Sequence, residues 1–176
     1  MMETKNQYFY GAVAKYDEVQ KTVKCNIMHF DTPNENMWSP VTGCLDDYFV
    51  KMARAKKFVP AFYNHNLDGI AIGLWKELEI IGNVLVGTLH LSDIPFVRDT
   101  VIPQLKEGTL QGASPTICTI EESYDRDNNI WNIIKGFLIE ASLVALPADF
   151  KADVLSIQAS VQERKKQDFE FDLLIL

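Results

Sequence analysis

The chain has 176 residues, 47% of them hydrophobic and 23% charged, with a formal net charge of -7 at pH 7. That size and composition suit one globular domain with a good core, and the acidic balance argues against general nucleic-acid binding, which wants clustered Lys and Arg. Three cysteines form neither a CxxC pair nor a metal spacing, and no apolar run approaches the roughly 20 residues that cross a bilayer.

Residues 7–15 alternate loosely and predict a strand. Val23, Cys25 and Ile27 alternate with Thr22, Lys24 and Asn26, the period of a half-buried strand, so 19–30 reads as a second one. Asp17-Glu18 predicts the turn between them, and 31–36 a loop. Leu45, Tyr48, Phe49 and Met52 fall at i, i+3, i+4 and i+7, which predicts an amphipathic helix over 45–57. A short apolar strand, 58–63, follows and ends at His65. Segments 70–80 and 84–91 predict a hairpin turning at Gly82-Asn83.

Asp93 is placed to cap a helix with Pro95 in its first turn. Val97, Val101 and Leu105 line one face of it, Pro103 predicts a kink or a break, and Gly108 closes it. Segments 109–122 and 130–146 read as strands around the solvated turn 125–129. Beyond Pro147 the spacing of Phe150, Val154, Ile157 and Val161 is helical. A protein domain over 1–161 and a polar linker with an apolar tail over 162–176 are the expected organisation. The basic runs 51–57 and 164–166 read as solvated helix faces. The start of the chain lacks the apolar core of a signal peptide, so a soluble protein made in a cytoplasm is expected. The strands lie too close in sequence for a βαβ repeat, and a β-rich α+β fold follows. Six or seven mostly antiparallel strands in a closed or nearly closed barrel, with two or three peripheral helices, fit the count.

Three residues carry chemistry. His65 follows an apolar strand among Asn64, Asn66 and Asp68. Ser114 follows the small Gly112 and Ala113, which let a substrate backbone come close. Glu140 lies inside the apolar run 133–146, where a charge needs a partner. An imidazole would serve Glu140, and so would Lys106 or Lys135. His29 and His90 compete with His65, and Ser142 and Cys118 with Ser114. Each residue alone is more commonly structural. Together, a hydroxyl, an imidazole base and a carboxylate that orients it are the parts of a nucleophilic hydrolase. No metal-ligand motif and no glycine-rich phosphate loop is present, and no cofactor is implied.

Three blocks resemble the prohead, or procapsid maturation, proteases of tailed phages, a family in the same fold group as the herpesvirus assemblins. The first is Phe62-Tyr63-Asn64-His65-Asn66 with Gly69-Ile70-Ala71-Ile72-Gly73. Leu105-Lys106-Glu107-Gly108-Thr109-Leu110-Gln111-Gly112-Ala113-Ser114 is the second. The third is Glu140-Ala141-Ser142-Leu143-Val144-Ala145-Leu146-Pro147-Ala148, with Ala152 and Val154 behind it. The blocks span about 60–155 and keep the order His, Ser, third member. Family members often carry Ile-Gly straight after the serine, where this chain has Pro115-Thr116. The resemblance implies an assemblin-like barrel and a serine endopeptidase with His65 as base, Ser114 as nucleophile and Glu140 as orienter. It implies scaffolding protein and major capsid protein as substrates, cleavage of the enzyme by itself, and action in the host cytoplasm inside the assembling procapsid. A homodimer stays open, and neither nucleic acid nor membrane is an expected partner. The competing readings are a catalytically inactive barrel serving as scaffold or capsid-assembly binding module, and a small-molecule-binding barrel.

Overall fold

The structure, a computed structural model, describes residues 6–9 and 11–145. Strands β1 (Asn6–Tyr8), β2 (Gly11–Asp17), β3 (Thr22–His29) and β4 (Trp38–Pro40) precede helix α1 (Asp46–Ala55). Then come β5 (Val59–Ala61), β6 (Gly73–Ile81), β7 (Val84–Leu91), a π-helical turn (Val97–Val101) and α2 (Ile102–Glu107). β8 (Gly112–Asp125) and β9 (Ile130–Val144) complete the described elements. The expected helix after Pro147, and the boundary between 1–161 and 162–176, lie outside the described residues.

Local sequence explains most of these elements. In β3 the alternation is realised: Val23, Cys25 and Ile27 are buried and Lys24 is exposed. Leu45 is buried ahead of α1, and Tyr48, Phe49 and Met52 pack from it against the core. The β6–β7 turn uses Gly82 at φ +61°, the left-handed residue that a two-residue hairpin loop requires.

Two expectations need correction. The single strand over 7–15 is two pieces, β1 and β2. Asp93 caps no helix; its carboxylate pairs with Arg98 at 2.9 Å and Lys21 at 3.5 Å, and these cations hold it below the usual carboxylate range. The break foreseen at Pro103 takes a specific form. Proline has no N–H and crowds the carbonyl four residues back. Just before it the helix widens, and the Ile102 N–H reaches the Val97 carbonyl, five residues back.

The strands form one sheet in the order β4-β9-β8-β2-β3-β7-β6-β5, with β1 as a spur on β8. The pairings are antiparallel except β4 with β9. This is a strand-rich α+β fold, but the sheet order is an open path and not a closed barrel. Beyond β5 the chain touches β9 at an isolated bridge between Tyr63 and Leu143. Local patterning fixes strands but not closure, which depends on the tilt and stagger of the whole sheet. Ile27, Phe30, Leu45, Trp75, Leu89, Ile117 and Leu143 are among the fully buried core side chains. At the far end of β9, Trp131 stacks on Trp38 at 5.6 Å and meets Tyr124 at 4.7 Å. No helix among the described residues is long and apolar enough to cross a membrane.

Candidate active site

The β8–β9 pair sets Ser114 opposite Ser142 and Thr116 opposite Glu140. Residues two apart share a face, so these four polar side chains form one square on one face of the ladder. All four are at most 1% exposed. The register slips by one residue between Thr116 and Ile117, a bulge beside the site.

His65 reaches this square through the chain beyond β5. Asn64 and His65 both adopt left-handed backbone, at φ 50° and 55°. Such conformations cost roughly 1–2 kcal/mol each away from glycine. Hydrogen bonds to β9 hold them. The Asn64 N–H donates to the Leu143 carbonyl at 3.0 Å, and the His65 N–H donates to Ser142 Oγ at 3.1 Å. Trp75 in turn pins β9, its indole N–H donating to the Ala141 carbonyl at 2.8 Å.

The side chains then meet in series. His65 Nε2 lies 2.9 Å from Ser114 Oγ, and Nδ1 lies 2.7 Å from Glu140 Oε1. Thr116 donates its hydroxyl to Glu140 Oε1 at 2.5 Å, and Ser142 donates to Oε2 at 2.6 Å. A buried carboxylate without donors is very costly; this one has three. The lysines that could have paired with it are engaged elsewhere, Lys106 with Glu18 and Lys135 with Asp47.

The Ser114 hydroxyl has a further partner, the Phe9 carbonyl at 2.7 Å. It is itself 0% exposed. Pro115 explains the contact. The Phe9 N–H donates to the Pro115 carbonyl at 3.2 Å, and an antiparallel pair of this type normally returns a second bond. Proline has no N–H to return, and the neighbouring serine hydroxyl satisfies the Phe9 carbonyl instead.

The other candidates sit elsewhere or act differently. His90 on β7 lies 3.6 Å from Glu77, and His29 ends β3 opposite Val84. Cys118 is buried on β8 opposite Phe137. Ser142 serves Glu140 and the His65 backbone. Thr116 escaped the sequence reading as a member of the site, and Ser142 entered it only as a rival nucleophile, not as a partner of Glu140. Their signal was spacing: each stands two residues from a chosen residue on the same strand. Beside the His65 loop, Tyr63, Asn66, Gly69, Ile70 and Phe96 line a groove, and Ile70 is 74% exposed.

A serine, an imidazole and a carboxylate bonded in series are the arrangement of a serine hydrolase. Residues 9–167 match the model of the caudovirus prohead serine proteases, and the chain belongs to that family. The fold is similar to that of the bacteriophage T4 capsid assembly protease gp21. The TM-score is 0.64 at 11% identity, over 82% of this chain and 100% of that one. No curated protein matches the sequence.

Proposed function

We propose that the chain is a serine endopeptidase of procapsid maturation in which Ser114 is the nucleophile, His65 the base and then the acid, and Glu140 the orienter. The observation that carries this is the continuous series Ser114 Oγ, His65 Nε2, His65 Nδ1, Glu140 Oε1, with links of 2.9 and 2.7 Å. Family membership supports capsid-related proteins as substrates. Scaffolding protein, major capsid protein and the enzyme itself are the specific ones we propose, with the reaction inside the assembling procapsid.

In acylation Ser114 Oγ attacks the scissile carbonyl carbon and its proton passes to His65 Nε2. Glu140 holds Nδ1–H and stabilises the imidazolium. The tetrahedral adduct collapses, the C–N bond breaks, and Nε2 returns the proton to the leaving amine. Water then takes the serine's part, giving a proton to His65 Nε2 and its oxygen to the acyl carbon; as the C–O ester bond to Ser114 breaks, Nε2 returns that proton to Oγ, which frees the acid and restores the enzyme. Pro115 has no amide to offer the oxyanion, so that charge is held by other donors.

The test is co-expression with scaffolding and major capsid protein, read by mass spectrometry of the fragments. Ser114→Ala should reduce processing on the order of 10⁴-fold to 10⁶-fold. Processing by the Ala variant at the wild-type rate would remove Ser114 from the reaction.

A further inference from the structure

β1 is an unusual strand. It is three residues long, and the sheet's main path runs from β9 through β8 to β2 without it. It lies on the outer edge of β8, with Asn6 opposite Cys118, Gln7 opposite Ile117 and Tyr8 opposite Thr116. β2 continues the same register, with Gly11 opposite Ala113. The intervening Phe9 is anchored in the core at 4% exposure. Its carbonyl takes the Ser114 hydroxyl, and the nucleophile is wholly covered.

Two consequences follow from chemistry. A hydroxyl carries one proton. While Ser114 gives that proton to Phe9, it cannot give it to His65 Nε2, and the base step is blocked. A nucleophile at 0% exposure also cannot meet a peptide carbonyl. Both obstacles vanish if β1 leaves the β8 edge and draws Phe9 away with it, which breaks no link of the main path.

We propose that the β8 edge at Pro115–Cys118 is a docking edge for an extended peptide backbone, and that the chain's own β1 occupies it at rest and keeps Ser114 closed. The substrate enters by strand exchange, taking over the antiparallel pairing that β1 gives up. The Phe9 carbonyl oxygen, 2.7 Å from Oγ, fills the space beside the nucleophile that a substrate carbonyl would need. Pro115 makes the closed state possible, since a residue with an N–H would satisfy Phe9 and release the serine. This inference rests on Ser114 being the nucleophile.

A native thiol allows the test. Phe9 and Pro115 form a hydrogen-bonded pair, so by alternation Asn6 and Cys118 form a non-bonded one. Such pairs hold their Cα atoms roughly 4.5 Å apart, within the span of a disulfide. Asn6→Cys, oxidised, therefore locks β1 to β8, and reduction frees it. Gln7→Pro removes a ladder donor from β1 and loosens it. The readout is the rate at which a fluorophosphonate labels Ser114, located by mass spectrometry, with melting temperatures as the control for folding.

Oxidised Asn6→Cys should label at least about tenfold more slowly than its reduced form, and Gln7→Pro up to about tenfold faster than wild type, the size of one net hydrogen bond. Should Gln7→Pro fail to fold, the oxidised and reduced forms of Asn6→Cys decide alone. Equal labelling of Ser114 in all forms overturns the closed edge and leaves the catalytic series intact. Absence of label on Ser114 in every form overturns the series itself, and the closed edge with it.

Discussion

β8 and β9 run side by side for their whole length, yet their two halves treat polar residues in opposite ways. From Gly112 to Thr119, β8 is buried throughout; from Ile120 onward it is almost wholly exposed. Ser114, Thr116, Glu140 and Ser142 in the first half bond to one another and to His65. Glu121, Glu122 and Ser123 in the second half face solvent. The residue types are nearly the same. What differs is that water satisfies the outer set for nothing, whereas the inner set must satisfy itself. That necessity fixes geometry: three donors around one carboxylate leave the imidazole a single orientation.

The largest expected effect tests that difference directly. Glu140→Gln should lower single-turnover cleavage on the order of 10²-fold to 10⁴-fold, because one oxygen becomes an NH₂ that can no longer accept from its neighbours. Glu122→Gln, on the exposed half of the same ladder, should leave cleavage unchanged and stability within about 0.5 kcal/mol. Equal effects of the two changes on cleavage per folded molecule would erase the distinction between the halves.

Ser142→Ala comes next. It removes the donor to Oε2 and the acceptor that holds the His65 backbone in its left-handed turn. A loss of roughly 10-fold to 10²-fold in kcat is expected, the scale of one hydrogen bond to a charged group. KM should stay put, and Ser142→Thr should recover part of the rate. In a Glu140→Gln background the loss should shrink, since the two act on one imidazole. A lower melting temperature with an unchanged kcat would make Ser142 a structural residue only.

The smallest effect belongs to the boundary between the halves, where Cys44 accepts the N–H of Gly136, the residue opposite Thr119, at its carbonyl. Burial, with help from Asp46 and Asp31, pushes its thiol from 9.0 up to about 12. A raised folded value means that stability is complete below the unfolded value and is lost as pH climbs toward the folded one. Denaturant midpoints should therefore hold to about pH 9 and then fall toward 12, and Cys44→Ala should flatten part of that fall. An equal alkaline decline in the variant would exclude the thiol as its source.

Much of the fold was legible because it is written at short range. The alternation of β3, the i, i+3, i+4 pattern of α1 and the Gly82-Asn83 turn each need only neighbouring residues. That the sheet stays open was not legible, since closure depends on the tilt and stagger of the whole sheet, whose two ends meet only at an isolated bridge of Tyr63 to Leu143, 80 residues apart. Asp93 went to Arg98 and Lys21 because exposed cations competed successfully with a helix start. His65, Ser114 and Glu140 were legible through their blocks, and the structure brings them together. The roles of Thr116, unread, and of Ser142, read as a rival nucleophile, were hidden because buried hydroxyls carry no mark in a sequence. They emerge only when two strands are laid side by side in register.

The three tryptophans divide along the same line as the polar residues. Trp75, 1% exposed, is tied to the Ala141 carbonyl next to Glu140. Trp38 and Trp131 stack at the other end of β9, the latter 36% exposed. The molecule therefore contains its own pair of optical reporters. An indole in a dry, hydrogen-bonded pocket emits at shorter wavelength than one in contact with water, and two stacked indoles couple in circular dichroism. Unfolding followed by emission and by dichroism would read the two ends of one strand separately, and a gap between the curves would measure how far the Glu140 end melts on its own.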